Sequence, residues 1–240
     1  MCMRKLKIGF DCDDVLYKCN SYVVDLENMK RRAEGKDLLD IRELTSYDAT
    51  GGEFDVRFNY FKTAAFYEYQ PLMEGAVECV NKLLDMGHEI VIISSLDSKF
   101  RSIRTRRISE DFPRINPDNI FIVPRKDFFS VDVMLDDAIH NLQGERSVNT
   151  PFPVLMEKPW NQDCRGIMSV KNHSMFVDLV RKIEYSTYLD IGFNFGNIFN
   201  LKYVMDENRM YDQTDDDEAL EPCKLISYEE MMKRYCLENV

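Results

Sequence analysis

The 240-residue sequence lacks several features that would each mark a class of protein. It contains no apolar run of about 20 residues, the length that a membrane-spanning helix needs, so we expect no membrane partner. No long apolar segment precedes Asp11, so we expect no signal peptide. Positive charge is scarce, because 31 Lys and Arg residues stand against 42 Asp and Glu residues and the net charge is −11. We therefore expect no nucleic-acid partner, since general nucleic-acid binding needs a basic surface.

Cysteine pairs of the C-x-x-C type are also absent, although the sequence has seven cysteines. We interpret this odd number as reduced thiols rather than a disulfide framework, which predicts a cytoplasmic protein. The chain does have enough apolar material for a sizeable core, because 45% of its residues are hydrophobic. Its length fits one domain, or one domain that carries an insertion.

Short apolar runs alternate with helical patterns along most of the chain. The runs typical of buried strands lie at residues 6–10, 90–93, 119–123, 131–135 and 153–156. The helical patterns between and after them lie at residues 74–86, 99–108 and 172–183. This alternation predicts an α/β fold with a Rossmann-like parallel sheet flanked by helices.

A polar and aromatic segment, residues 17–70, follows the first predicted strand. We expect it to form a small, mostly helical cap over the carboxyl edge of the sheet. The domains predicted are an α/β core at 1–16 and 71–183, a cap at 17–70, and a C-terminal extension of unknown role at 184–240. Within that extension, residues 188–203 suggest a hairpin and residues 227–237 a helix with a capping box.

Three carboxylates follow the first strand within four residues. Asp11, Asp13 and Asp14 come directly after the apolar run, where open α/β sheets bind their ligands. Carboxylates this close repel one another unless a cation or a proton compensates, and hard oxygen ligands suit Mg²⁺. Asp-rich turns also serve as helix caps, so this stretch alone leaves a structural interpretation open.

Polar side chains follow the next three predicted strands as well. These residues are Ser94 and Ser95, then Lys126, then Asp136 and Asp137. Because the carboxyl ends of parallel strands share one edge, we expect the groups to converge. Their chemical types fit phosphoryl transfer. One carboxylate can attack phosphorus, a second can move the proton, and a hydroxyl and an ammonium can bind the phosphoryl oxygens.

The order and spacing of these residues carry a family resemblance. The stretch Asp11-Cys12-Asp13-Asp14-Val15 resembles the first motif of the haloacid dehalogenase superfamily, and Ile90–Ser94 resembles the second. Lys126 resembles the third motif, and Met134-Leu135-Asp136-Asp137 resembles the fourth. Within the superfamily, the chain is most similar to the 5'(3')-deoxyribonucleotidases, through its short cap and the stretch at 71–78.

This resemblance implies a Mg²⁺-dependent phosphatase that hydrolyses (deoxy)ribonucleoside monophosphates through an aspartyl-phosphate. Asp11 would be the nucleophile and Asp13 the general acid/base. Ser94 and Lys126 would bind phosphate, with Ser95 nearby.

The resemblance also implies a metal site and a base-binding surface. The ligands would be Asp11, the Asp13 backbone carbonyl and Asp137, with Asp136 in support. The aromatic residues that would contact the base map only loosely, onto Tyr47, Tyr60 and Phe66. The nucleotide would be the main partner, and a homodimer is left open.

Some positions depart from the family pattern. Asp14 stands where the family usually has glycine, and Cys19 stands where the animal enzymes place an aromatic that faces the base.

The cap aromatics have the alternative role of cap core, and the arginines of 101–107 form either a solvated helix face or a phosphate-recognition site. Three alternatives for the whole protein stay open. They are a phosphatase of another small phosphate ester, a nucleic-acid end-processing phosphatase, and a non-catalytic nucleotide-binding protein.

Overall fold

A computed structural model describes residues 5–47 and 52–188, together with two short segments at 209–210 and 226–227. Those two segments pair as antiparallel strands. The predicted hairpin at 188–203 and helix at 227–237 lie, apart from their first residues, outside the described residues. Within the described part of the chain, no helix combines the length and the apolar character needed to cross a membrane.

Six parallel strands form the central sheet. They are β1 (Lys7–Phe10), β2 (Glu89–Ser94), β3 (Ile120–Ile122), β4 (Val133–Asp136), β5 (Phe152–Met156) and β6 (Met168–Val170). Their order across the sheet is β3-β2-β1-β4-β5-β6. The predicted parallel sheet is confirmed. Strand β6 was not predicted, because it has only three residues and the polar Ser169 in its middle.

Seven α-helices lie in the described part of the chain. They are α1 (Asn20–Glu34), α2 (Arg57–Tyr60), α3 (Ala64–Tyr69), α4 (Ala76–Asp85), α5 (Arg101–Asp111), α6 (Ile139–Leu142) and α7 (His173–Tyr188). Buried residues of α4, α5 and α7 pack together with one face of the sheet, and α6 packs with the other. The sheet is therefore flanked by helices, as predicted.

Alternate residues of the strands face opposite sides of the sheet, as the pleat requires. Ile92 of β2 belongs to the larger apolar cluster, whereas its neighbours Val91 and Ile93 belong to the smaller one. Gly9 lies at a close approach between β1 and β4. A Cβ at this position would lie 2.6 Å from the sulfur of Met134 and 3.2 Å from a methyl group of Val131, so a side chain here would force at least the Met134 side chain to shift.

Between β1 and α4, the described residues 17–47 and 52–70 include the helices α1, α2 and α3, and the term "insert" is used below for the segment 17–70. Its own core contains Val23, Phe66 and Tyr67, packed against Phe100 of the α/β core. Helix α3 lies against α5, and the 3₁₀ turn Ile41–Glu43 lies against the turn Pro159–Asn161 that follows β5. The insert thus contacts segments that follow the carboxyl ends of β2 and β5.

Candidate active site

The carboxyl ends of three strands bring one lysine and two carboxylates into contact. Asp11 follows β1, Asp136 ends β4 and Lys126 lies in the loop after β3, and all three are buried. The Lys126 ammonium donates to Asp11 Oδ1 at 2.8 Å and to Asp136 Oδ2 at 2.6 Å. The structure therefore brings the predicted nucleophile together with the predicted phosphate-binding lysine.

The two adjacent aspartates after β4 are held in different ways. Both oxygens of Asp136 are occupied, because Oδ2 accepts from the lysine and Oδ1 accepts from the Ala138 amide at 2.9 Å and from Asn141 Nδ2 at 3.0 Å. Asp137 Oδ2 accepts from Trp160 Nε1 at 2.9 Å. Among the described residues, no hydrogen bond is donated to Asp137 Oδ1, so this oxygen is available to a cation.

Three carboxylates of this cluster fit a hard cation. Asp11, Asp136 and Asp137 each offer one oxygen, and these oxygens all lie within 4.8 Å of one another. Carboxylate oxygens from one or two aspartates, completed by water and substrate phosphate, are the usual environment of Mg²⁺. The chemistry of the donor set therefore suits this ion.

The pKa shifts in the cluster report an excess of buried negative charge. Burial raises the pKa of Asp11 to about 6, although Lys126 opposes the shift. Burial, reinforced by neighbouring Asp136, raises the pKa of Asp137 well above its ordinary value. Burial alone would lower the pKa of Lys126, but Asp11 and Asp136 raise it overall, so the ammonium stays charged. A divalent cation would relieve the repulsion among the carboxylates.

A family model described as "5' nucleotidase, deoxy (Pyrimidine), cytosolic type C protein" matches residues 4–184. The chain belongs to this nucleotidase family. A 5'(3')-deoxyribonucleotidase of Bacillus subtilis (strain 168) is 25% identical over 103 residues, and one of Bacillus phage SPbeta matches equally. These alignments cover 42% of this chain and only 57% of the length of either relative.

A solved structure shows the same fold as this nucleotidase-family chain. A haloacid dehalogenase family hydrolase from Deinococcus radiodurans R1, with bound phosphate and sodium, is 16% identical and has a TM-score of 0.51. The similarity covers 74% of this chain and 96% of that one. This likeness shows the fold that the motif resemblance implies, and the family match confirms the predicted resemblance to deoxyribonucleotidases.

Asp13 lies beside a buried arginine. Its Oδ1 accepts from Gln70 Nε2 at 2.8 Å and from Arg104 Nη2 at 2.7 Å. The interpretation of the arginines of 101–107 as a solvated helix face, one of the two alternatives left open, is wrong at Arg104, which is 1% exposed. It is wrong because the insert covers this side of α5, a packing that the helical pattern alone does not reveal.

The family's usual glycine position is occupied by a residue with a capping role. Asp14 has a φ of 55°, a left-handed conformation that glycine adopts more easily. Its carboxylate accepts from the amide of Cys19 at 3.0 Å and from the amide and side chain of Asn20 at 3.0 and 2.7 Å. Asp14 thereby satisfies amide donors at the start of α1, which offsets the backbone strain.

The two predicted phosphate-binding serines differ in exposure. Ser94 ends β2 and is buried, and its hydroxyl contacts the thiol of Cys12. Ser95 follows it and is exposed. Both stay predictions as phosphate ligands.

Of the three aromatic residues predicted to contact a base, Tyr47 lies beside the carboxylates. It is 43% exposed, and its ring centroid lies 5.0 Å from that of His140, three residues after Asp137. Burial of its hydroxyl, together with the charges of Asp137 and Asp11, raises the pKa of Tyr47. The structure therefore brings Tyr47 to the mouth of the site.

The other two aromatic residues pack within the insert. Phe66 is 2% exposed and stacks on Tyr22 with ring centroids 5.5 Å apart. The Tyr60 hydroxyl donates to Glu27 at 3.2 Å, and Lys30 lies 4.5 Å from its ring centroid. This arrangement favours the cap-core interpretation for both, and their contact with a base stays a prediction.

Several residues of the site were given no role from the sequence. Asn161 Nδ2 donates to the backbone carbonyl of Asp137 at 2.9 Å, and Trp160 contacts the carboxylate of the same residue. They come four and five residues after the end of β5, so the rule that located the other groups, functional residues in the loop after a strand, extends to them. Gln70 and Arg104 have no such signal, because neither follows a strand.

Proposed function

We propose that this protein is a Mg²⁺-dependent phosphatase of (deoxy)ribonucleoside monophosphates. The observation that carries the proposal is the buried Asp11–Lys126–Asp136 contact, with Asp137 beside it, at one edge of a parallel sheet. Membership of a nucleotidase family supports the substrate class. The cytoplasmic location and the homodimer stay predictions.

Asp11 acts as the nucleophile in this proposal. One of its oxygens bonds to phosphorus while the bond from phosphorus to the nucleoside oxygen breaks, which leaves an aspartyl-phosphate. Lys126 supports this step. Its ammonium has three N–H donors, and the two carboxylates occupy two of them, so one donor is left for a phosphoryl oxygen.

Asp13 moves the proton. It donates a proton to the leaving nucleoside oxygen, then accepts one from the water that attacks phosphorus and frees Asp11. Asp13 Oδ1 is held by Gln70 and Arg104, whereas Oδ2 accepts no hydrogen bond from the residues described. The free oxygen is the one available to the leaving group.

The metal site is built from the same cluster. Asp11, Asp137 and the backbone carbonyl of Asp13 would hold Mg²⁺, which when bound shields the anionic nucleophile from the anionic substrate. Asp136 is assigned a supporting role, because both of its oxygens already accept hydrogen bonds. Trp160 and Asn161 fix the position of Asp137.

The nucleoside is placed in a cleft between the insert and the segment after β5. This cleft has a volume of about 580 Å³, within the usual range of small-molecule sites. Its lining comprises Arg42, Thr45, Glu157, Lys158, Pro159, Gln162, Asp163 and Lys171. Lys158 connects it to the carboxylates, since the charges of Asp14 and Asp137 act on its ammonium. Outside this lining, the Tyr47 ring beside His140 would provide an aromatic face for the base.

One observation favours a second candidate. The cleft lining includes three cationic side chains, Arg42, Lys158 and Lys171, which would suit a small phosphate ester with a further negative group. A phosphate-release screen over nucleotides and sugar phosphates separates the candidates. We expect release from nucleoside monophosphates with Mg²⁺, none with EDTA, and none from Asp11→Asn prepared in parallel. Preference for sugar phosphates would favour the second candidate, and no Mg²⁺-dependent release from any ester would overturn both.

A further inference from the structure

A second buried polar cluster lies beside the candidate site. Arg104 of α5 donates from Nη2 to Asp13 Oδ1 at 2.7 Å and to Gln70 Oε1 at 2.9 Å. Gln70 completes a triangle, because its Nε2 donates to Asp13 Oδ1 at 2.8 Å. Gln70 is fully buried, and the Arg104 guanidinium lies between the rings of Tyr17 and Tyr67, 4.9 and 5.3 Å from their centroids.

This cluster is arranged at a cost in stability. Burying an ion pair removes the hydration of both charges, and the attraction between them does not always compensate for that free-energy cost. The Arg104 Nε is buried and has no hydrogen-bond partner in the described part of the chain, and an unsatisfied buried donor lowers the stability of the fold. The guanidinium is therefore oriented toward Asp13 and Gln70 at the expense of its own hydrogen bonding.

We infer that Arg104 and Gln70 are positioning residues for Asp13. They hold one oxygen of its carboxylate and leave the other directed at the leaving group. This inference rests on the proposed function, in which Asp13 is the general acid/base. An acid/base residue must lie within hydrogen-bond reach of the proton that it transfers, so a fixed Oδ1 sets where the proton on Oδ2 is presented.

The cluster also joins Asp13 to the insert. Gln70 is the last residue of the insert, and its backbone carbonyl accepts from Arg107 Nη2 at 3.1 Å. Arg106 forms an ion pair with Glu68 at the same boundary. Because Gln70 belongs to the insert and Arg104 to α5, the triangle is complete only when the insert is docked on α5. Docking of the insert thus completes the positioning of the acid/base residue.

The test uses two substrates that differ in their need for a proton. The nucleoside oxygen of dUMP leaves poorly without protonation, whereas p-nitrophenolate is a stabilised anion that leaves unaided. The ratio of kcat/KM on dUMP to kcat/KM on p-nitrophenyl phosphate therefore reports the acid step. The variants are Gln70→Leu, which removes the donor at similar volume, and Arg104→Lys, which keeps the charge but loses the planar fork. Arg106→Gln is the matched control, because it breaks an insert–α5 ion pair without touching Asp13.

General acid–base catalysis contributes about 10²–10⁴-fold, so we expect Gln70→Leu and Arg104→Lys to lower the ratio about tenfold or more. The control should leave the ratio unchanged. A ratio that stays unchanged in both variants would overturn the inference. If both substrates then lose activity equally and the melting temperature falls, the two residues have only a structural role. Gln70→Leu decides the matter if Arg104→Lys does not fold. Absence of activity in the native protein on both substrates would instead refute the proposed function.

Discussion

The sheet edge and the insert differ in what holds their side chains in place. At the sheet edge, Asp11, Lys126 and Asp136 are positioned by strands whose ends coincide, and their charges pair directly. In the insert, Phe66 and Tyr60 are positioned by packing against other insert residues. The comparison indicates that the proposed phosphate side of the site is positioned by sheet topology, whereas the proposed nucleoside side depends on how the insert docks.

The first prediction removes the nucleophilic charge at the sheet edge. Asp11→Asn keeps the shape of the side chain, so we expect the fold to persist while turnover falls by about 10³-fold or more. Phosphate release from a nucleoside monophosphate, measured beside a melting curve, checks both parts. Activity near the native level in a folded variant would show that the strand-end carboxylates do not carry the reaction.

The second prediction concerns the metal. Asp137→Ala should raise the Mg²⁺ concentration for half-maximal activity steeply, and Trp160→Phe, which removes only a hydrogen bond to Asp137, should raise it by about 10–100-fold. Activity measured across a Mg²⁺ titration gives both values. If Trp160→Phe and Asp137→Ala both titrate like the native protein, the cluster is not the metal site.

The third prediction contrasts the mouth of the site with the core of the insert. Tyr47→Ala should lower kcat/KM for dUMP about ten- to hundredfold and hardly change it for p-nitrophenyl phosphate, because base stacking on an aromatic ring is worth about 1–3 kcal/mol. Phe66→Ala should instead destabilise the fold by about 3–5 kcal/mol and harm both substrates alike. A base-selective loss in Phe66→Ala would reverse the roles assigned to the two residues.

The fourth prediction is a pH dependence of stabilisation by Mg²⁺. The pKa of Asp11 is raised to about 6 in the folded protein, above its ordinary value in the unfolded chain. Ionisation of Asp11 therefore lowers the free energy of unfolding as the pH rises toward about 6. A cation that binds the ionised carboxylates offsets this cost above about pH 6 and is displaced by protons below it. Melting temperatures with and without Mg²⁺ at about pH 5 and about pH 8 test this. At about 100 times its Kd, Mg²⁺ should stabilise the fold by about 2.7 kcal/mol at the higher pH only.

The fifth and smallest effect concerns Asp14. Asp14→Ala should cost about 1–2 kcal/mol, because it removes the hydrogen bonds that cap α1 and keeps the left-handed backbone. Asp14→Gly loses the same bonds but relieves the strain, so it should cost less than the alanine variant. Denaturant unfolding of both variants gives the difference, and equal costs would show that the φ of 55° carries no strain.

The sheet edge could be predicted from the sequence because local patterns determine it. A buried strand such as β1 reads as an apolar run, and the polar residue that follows it, Asp11, lies at the shared edge whatever the rest of the fold does. Both Asp136 and Lys126 were located by the same rule. The third strand was found although it is only three residues long, because its apolar run extends beyond the paired residues.

The insert could not be predicted in the same detail, because its contacts depend on tertiary packing. The spacing of Tyr60 and Phe66 is compatible with a helix but does not say whether the rings face the site or the insert core. The burial of Arg104 depends on α3 lying against α5, which no pattern within α5 indicates. Tyr47 has no aromatic neighbour in sequence. Its place beside His140 depends on tertiary packing, which no local pattern indicates.

The most direct test of the central claim is to trap the phosphate on Asp11. In Asp13→Asn, p-nitrophenyl phosphate should still phosphorylate Asp11, since its leaving group needs no proton, but the base that activates water is lost and the aspartyl-phosphate should accumulate. Acid quenching followed by mass spectrometry of the peptide that contains Asp11 detects it. The account predicts a phosphoryl group on Asp11 in this variant and none in the double variant that adds Asp11→Asn. A protein that hydrolyses nucleotides yet carries no phosphoryl group on Asp11 under these conditions would contradict it.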